Sequence, residues 1–347
     1  MQSVQSSNAS AASPKPVVAL LLPNDIRSKV FSPDAEERLA SMVRIVSPSD
    51  DQLTKENIPA LLDGAVAAIS GWGTPPFPDE VFSSGKELAF IAHSAGSIHR
   101  LQVSEAIKND RIRVSHAAVF IAEAVAEFVL AQILSHLRRP CQQDADLKSG
   151  MNASDVRQRN LGRILSAQTV GIIGAGYVGR LVIRLLNAFN AQIVVYDPYL
   201  APERAREMGV EMNGLDDLIA ACDIVSLHAP VLPETRHMMG AEQFAKMRDG
   251  TLFINTARSA LIDETAFLAA LEQDRFKAAI DVFDIEPLPI GSPFRSLPNV
   301  YLSPHSAGHT IETYFRQGAA AVDEVDRFLK GQPLRYEVTK NMLATMA

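Results

Sequence analysis

Val170–Arg180, VGIIGAGYVGR, is the stretch on which the fold turns. Its six central residues, Gly174, Ala175, Gly176, Tyr177, Val178 and Gly179, fit G-x-G-x-x-G. An apolar run, Thr169–Ile173, precedes them, and a helix-like segment, GRLVIRLLNAF, follows. In that context the first glycine permits a tight turn, the second lets a pyrophosphate reach the backbone, and the third lets helix and strand pack closely. The helix start adds N–H donors and a positive dipole end. The next apolar run ends in Asp197, 18 residues after Gly179. A carboxylate there is placed to accept from adenosine ribose hydroxyls and to repel a 2′-phosphate, so NAD is expected rather than NADP. A purely structural glycine turn with a solvated Asp is the plain alternative, and the strand–helix–strand setting weighs against it.

On both sides of this stretch, apolar runs alternate with helical patterns, which indicates parallel α/β layers. Upstream lie VVALLLP from Val17, AVAAISG at Ala65–Gly71, LAFIAHS at Leu88–Ser94 and IRVSH at Ile112–His116. Downstream lie QIVVYD, IVSLH, TLFINT, AAIDVF and NVYLSP. A long, largely apolar helical pattern, Ile121–Pro140, separates the two blocks. Gln142–Gln168 reads as polar and irregular. The segment HTIETYFRQGAAAVDEVDRFLKGQP reads as an amphipathic helix ended by Gly331 and Pro333.

Three of the downstream strands lead into reactive residues. TLFINT is followed by Arg258, AAIDVF leads to Glu286, and NVYLSP runs straight into His305. Ligands of open parallel sheets bind outside the carboxyl ends of the strands. The topology can therefore gather a cation, a carboxylate and an imidazole on one edge. An arginine fork matches a carboxylate bidentately. A histidine exchanges a proton near neutral pH, and a neighbouring carboxylate favours its charged form. Together they suit interconversion of a 2-hydroxy acid and a 2-oxo acid by hydride transfer. Taken singly, Arg258 reads as a surface ion pair, Glu286 as a loop residue and His305 as a packed turn residue.

The chain has 347 residues, room for roughly two domains. Its net charge is -7 and its pI is near 5.7, with no basic block. Neither nucleic acid nor an anionic membrane is expected as a partner. Two cysteines in no ligand spacing suit a reducing, cytoplasmic setting and rule out a disulfide scaffold. No apolar stretch reads as long enough to span a bilayer. Residues 1–16, rich in Ser and Ala, read as a disordered tail or a segment added in cloning. His305 and His309 stand four apart across a turn with no third ligand, so no metal is expected.

The motifs GIIGAGYVGR, VSLHAPVLPETRHMMG, LFINTARSALIDE, AAIDVFDIEPLP and NVYLSPHSAGH resemble those of the D-isomer-specific 2-hydroxyacid dehydrogenases. The similarity runs from about Val17 to the end. It implies an NAD-binding Rossmann domain, 122–308, inserted in a flavodoxin-like α/β substrate domain, 17–121 and 309–347. Arg258, Glu286 and His305 fall on the family's catalytic positions. His228, Ala229, Pro230, Thr235, Thr256, Ala257, Asp281 and Gly308 fall on its cofactor side. Ala95 and Gly96 match the turn whose N–H groups hold the substrate carboxylate. Trp72, the single tryptophan, is a candidate wall of the substrate pocket, with plain packing as the alternative. A small 2-oxo or 2-hydroxy acid as partner and a homodimer joined through the coenzyme domains are also implied.

Ser259 stands where the family often has Gly, Ile121 where it often has Asn, and Met151 where a Trp is frequent. The turn at Gly96 continues as SIHRL, without the acidic residue common there. These departures fall on the substrate side and the dimer arm. Two other readings share the scaffold. A formate dehydrogenase-like enzyme would pair its His with Gln, and Glu286 argues against it. An NAD(H)-sensing binding protein, like the C-terminal-binding corepressors, is disfavoured by the acidic chain.

Overall fold

The computed structural model describes residues 14–344 and Met346. The expected tail therefore lies mostly outside the described residues. Its last two positions are tied to the fold: Lys15 Nζ donates to the Ala40 carbonyl at 2.8 Å, and Arg44 N–H donates to the Pro16 carbonyl at 2.9 Å. The chain forms two compact units. One runs to Ala117 and resumes over Tyr314–Lys340; the other is Ala118–Thr313 with the segment from Asn341.

The first unit holds β1 (Val17–Leu21), β2 (Arg44–Val46), β3 (Ala65–Ser70), β4 (Phe90–His93) and β5 (Arg113–His116). They pair in parallel in the order β2-β1-β3-β4-β5, the flavodoxin-like arrangement. Val18, Leu20, Ala67, Ile69, Phe90 and Ala92 fill one face and meet Ala321, Val322 and Val325 of the helix Ile311–Leu329. Gly318 of that helix lies against the Val30 carbonyl. A Cβ there would sit 2.1 Å from the oxygen, so the close approach requires glycine.

The second unit holds β6 (Thr169–Ile173), β7 (Gln192–Tyr196), β8 (Glu211–Met212), β9 (Ile224–Leu227), β10 (Leu252–Asn255), β11 (Lys277–Ile280) and β12 (Val300–Leu302). The order is β12-β11-β10-β9-β6-β7-β8, all parallel. The strand order reverses between β6 and β9, the switch point at which such sheets bind ligands. Both faces are covered. Leu252 and Ile254 point into a core with the helices Ala118–Arg138 and Tyr177–Ala188, and Phe253 points into one with Phe244, Phe267 and Phe276. Burial on both faces explains why these strands read as unbroken apolar runs.

Two expectations are corrected. Gln142–Gln168 is not irregular: it holds the helices Pro140–Lys148 and Ala153–Arg159. Their organising residue is the buried Asp146, which accepts from Gln142 Nε2 at 2.8 Å and Asn160 Nδ2 at 2.7 Å. A polar centre of this kind leaves no apolar stripe to read. The helix Ala118–Arg138 has a mean hydropathy of 1.8 over its most apolar window. By length and composition it is long enough to cross a membrane, against the expectation from sequence that no apolar stretch is. Seven of its residues, Ala122, Ala124, Val125, Ala126, Val129, Ile133 and Leu137, are buried in the protein.

Candidate active site

The glycine turn opens the site. Gly174 ends β6 with φ +95°, and a Cβ there would lie 2.7 Å from the Ala229 nitrogen. A Cβ on Gly179 would lie 2.1 Å from the Gly174 carbonyl oxygen. At Gly176, the N-cap of the helix Tyr177–Ala188, a Cβ would meet nothing within 4 Å. The first and third glycines are thus required by the protein itself. The second faces open space at a helix N-terminus, where an anionic group can approach the backbone. Val178 packs partly buried against the core, whereas Tyr177 is exposed.

Asp197 follows β7 and reaches back to this turn. Its Oδ2 accepts from Ala175 N–H at 2.7 Å and its Oδ1 from Tyr199 N–H at 2.8 Å. The Tyr199 hydroxyl donates to Glu234 Oε1 at 3.0 Å, and that carboxylate pushes the phenol pKa upward. A second acid therefore stands beside the residue that Asp197 fixes.

The segment after β9 lines the other side of Gly174. His228 N–H donates to the Ile173 carbonyl at 2.7 Å, and its Nε2 lies 2.9 Å from Ser226 Oγ. Burial pulls this ring down to about 4, so it is neutral near neutral pH. Ala229 is buried. Thr235 Oγ1 donates to the Pro230 carbonyl at 2.6 Å and accepts from Leu232 N–H at 2.7 Å, folding the loop on itself. At the end of β10, the Thr256 hydroxyl is buried and has no hydrogen-bond partner among the described residues. An orphaned hydroxyl and an open glycine cradle on one switch point fit a bound dinucleotide.

Arg258 emerges just beyond. Asn255 shapes the bend: its Nδ2 donates to the Arg258 carbonyl at 3.0 Å and its Oδ1 accepts from Ala257 N–H at 3.0 Å. Among the described residues the guanidinium donates one bond, from Nη1 to the Ala257 carbonyl at 2.7 Å. Burial lowers its pKa, and the charge of Glu286 opposes that shift. Ser259 begins a single 3-10 turn and accepts from Ile262 N–H at 2.8 Å through its carbonyl.

Glu286 joins the group from the segment after β11. Its Oε1 accepts from Phe283 N–H at 2.9 Å, and its Oε2 lies 2.7 Å from His305 Nδ1. A carboxylate only accepts, so Nδ1 carries the hydrogen and Nε2 remains for another partner. His305 holds φ +55°. The turn after it is fastened by the buried Asp281, whose Oδ1 accepts from Ser306 N–H at 2.8 Å and Oδ2 from Ala307 N–H at 2.9 Å. Gly308 lies against the helix Ala118–Arg138: a Cβ there would be 2.7 Å from Ile121 Cγ2. The structure thus brings Arg258, Glu286 and His305 together and shows packing or bracing duties for Gly308, His228 and Asp281. Among the described residues no group of three potential metal ligands occurs.

The remaining candidates lie in the first unit. The turn after β4 carries Ala95 and Gly96. Trp72 meets Tyr314 edge-on, ring centroids 5.6 Å apart, and packs against that unit's core. Two buried histidines lie beside this turn. His116 Nδ1 lies 3.2 Å from the Gly96 carbonyl, and His93 Nδ1 lies 3.0 Å from Ser70 Oγ. Their partners are 20 and 23 residues away, beyond any local pattern.

Residues 130–307 match the model of the D-isomer specific 2-hydroxyacid dehydrogenase NAD binding domain. The chain is 33% identical over 282 residues to a D-3-phosphoglycerate dehydrogenase of Methanocaldococcus jannaschii, covering 81% of this chain and 53% of that one. It is 32% identical over 261 residues to a glyoxylate reductase of Korarchaeum cryptofilum, covering 75% and 78%. The chain spans about half the length of the phosphoglycerate dehydrogenases it matches. Among solved structures, a phosphoglycerate oxidoreductase from Rhizobium etli superposes with a TM-score of 0.76 at 27% identity, covering 93% of this chain and 97% of that one.

Proposed function

Because the chain belongs to the D-isomer-specific 2-hydroxyacid dehydrogenase family, we propose that it interconverts a small 2-oxo acid and the matching D-2-hydroxy acid. NAD, when bound, supplies the hydride in reduction and takes it up in oxidation. Gly176 and the helix start would hold the pyrophosphate, Asp197 the adenosine ribose, and Thr256 the reactive end. In reduction His305 Nε2 gives its proton to the substrate carbonyl oxygen as that carbon becomes an alcohol. Glu286 holds Nδ1–H and stabilises the charged ring before transfer. Arg258 clamps the substrate carboxylate through its fork. Within the first unit, the N–H groups of the Ala95–Gly96 turn and the Trp72 ring are the proposed substrate contacts.

The carrying observation is Arg258. A partly buried guanidinium that, among the described residues, donates only to its neighbour's carbonyl is an incomplete ion pair. A substrate carboxylate completes it. The test is NADH oxidation against glyoxylate, hydroxypyruvate, pyruvate and bulkier 2-oxo acids. On the best of them, His305→Gln should lower kcat by about 100-fold or more. Arg258→Ala should raise KM by roughly 10- to 100-fold, the scale of a charge-assisted hydrogen bond. Wild-type rates in both variants would overturn the assignment. We also propose a homodimer joined through the coenzyme unit, checked by sedimentation, and a cytoplasmic setting, which suits free cysteines at 141 and 222.

A further inference from the structure

The connection after Arg258 leads into a second carboxylate. Ser259–Leu261 forms a single 3-10 turn, and the helix Glu264–Leu271 follows. Asp263 caps that helix by accepting from Ala266 N–H at 3.0 Å. Glu264, its first residue, is half-buried and reaches another element: its Oε2 accepts from Asp284 N–H at 3.2 Å, 20 residues further along the chain. Asp284 stands two residues before Glu286, in the segment after β11. Two backbone donors of that segment are taken, both by carboxylates. Phe283 N–H donates to Glu286 Oε1 at 2.9 Å, a bond within the turn, and Asp284 N–H donates to Glu264. Among the described residues, the second is the only hydrogen bond that ties the backbone of residues 282–286 to another element. Packing secures the start of the turn alone. Phe283 is buried and meets Phe294, ring centroids 5.9 Å apart, and Phe294 meets Phe267 of the helix at 6.1 Å. Residues 284–287 are exposed.

We propose that Glu264 is a positioning residue: it fastens the turn that carries Glu286 to the connection that carries Arg258. The carboxylate that holds His305 Nδ1 at 2.7 Å is then kept in register with the guanidinium. The inference rests on the 2-oxo acid reading of the site. An exposed turn with one buried side chain and one outside hydrogen bond has few other ways to hold its place. Burial pushes the Glu264 carboxyl pKa up, the mark of a drier setting in which a hydrogen bond counts for more than at the open surface. A misplacement of about 1 Å near the chemistry can cost roughly 100-fold in rate. Loss of this one tie, with Phe283 still anchored, should cost less. The plain alternative is that Glu264 only supplies negative charge at a helix start, where it complements the dipole.

Two variants separate these roles. Glu264→Gln keeps an acceptor oxygen and removes the charge, and Glu264→Ala removes both. On the best 2-oxo acid the Ala variant should lose about tenfold in kcat, the scale of one hydrogen bond, and the Gln variant less than about twofold. KM and the Kd for NADH should stay within about twofold of wild type in both. In a Glu286→Gln background, Glu264→Ala should lower kcat no further, because residues that act as one unit do not add. Amide hydrogen exchange at residues 283–286 should be about tenfold faster in the Ala variant and unchanged in the Gln variant. A Gln variant as poor as Ala, an equal loss of kcat in both backgrounds, or unaltered exchange in the Ala variant overturns the brace. Wild-type protein that reduces no 2-oxo acid overturns the proposed reaction instead. Exchange then decides the brace by itself: faster in Ala upholds the tie, and unchanged overturns it.

Discussion

Two turns in this protein follow the ends of parallel strands and offer backbone N–H groups, yet they are braced by opposite chemistry. The turn at Gly174–Gly179 is held by a carboxylate: Asp197 takes the Ala175 N–H. The turn at Ala95–Ile98 is held by donors, His116 and the Ala117 N–H among them, which take carbonyls. A carboxylate brace uses up a backbone donor and leaves a negative charge nearby. An imidazole brace uses up acceptors, leaves every donor free, and at neutral pH adds no charge. The first arrangement suits a ligand with hydroxyls to be gripped and a 2′-phosphate to be refused. The second suits a bare anion.

The glycines give the most forceful way to break the comparison. Gly174→Ala places a Cβ 2.7 Å from backbone at a left-handed φ. It should cost roughly 3 kcal/mol of stability and abolish NADH binding, read by denaturant unfolding and fluorescence titration. Gly176→Ala has open space for its Cβ. It should leave the unfolding midpoint unchanged and weaken NADH about 10- to 100-fold, since only the ligand meets the methyl group. If both variants lost stability equally, the cradle reading of Gly176 would fail.

Asp281→Asn probes a second carboxylate brace, the one beneath His305. It exchanges one acceptor for an NH2 group facing a backbone N–H. We expect kcat to fall about tenfold with NADH affinity nearly intact; a change confined to NADH Kd would assign Asp281 to the cofactor instead.

The smallest effect expected is on stability against pH. His93, His136 and His228 are each pulled down to about 4 by burial, against about 6.5 in an unfolded chain. Between those values the unfolded chain binds more protons. The stability these neutral rings contribute is complete above pH 6.5 and is lost as pH falls toward 4. The thermal midpoint should decline by a few degrees from pH 7 to pH 4.5, and a flat profile would show that the rings charge in place.

What was legible in the sequence follows from what is local. The glycine motif, the apolar strands and the reactive residues just past TLFINT, AAIDVF and NVYLSP are written in consecutive letters, and the parallel topology gathers them. Short edge strands were not legible: β2 has three residues and β8 two, and their exposed positions break the apolar pattern. The helices Pro140–Lys148 and Ala153–Arg159 were missed because they organise around Asp146 rather than an apolar stripe. His93 and His116 could be seen as buried types only. Their use depends on Ser70 and Gly96, brought close by strand pairing of β3, β4 and β5.

His305 sits in the left-handed region, at φ +55°, where a side chain costs about 1–2 kcal/mol that glycine avoids. The residue proposed to move the proton is thus also one the backbone would rather replace. His305→Gly should therefore hold or gain stability within about 1 kcal/mol while losing turnover. At this position selection for a sturdy fold and selection for a working enzyme pull in opposite directions. A stability-guided redesign of the chain would discard its proton carrier first.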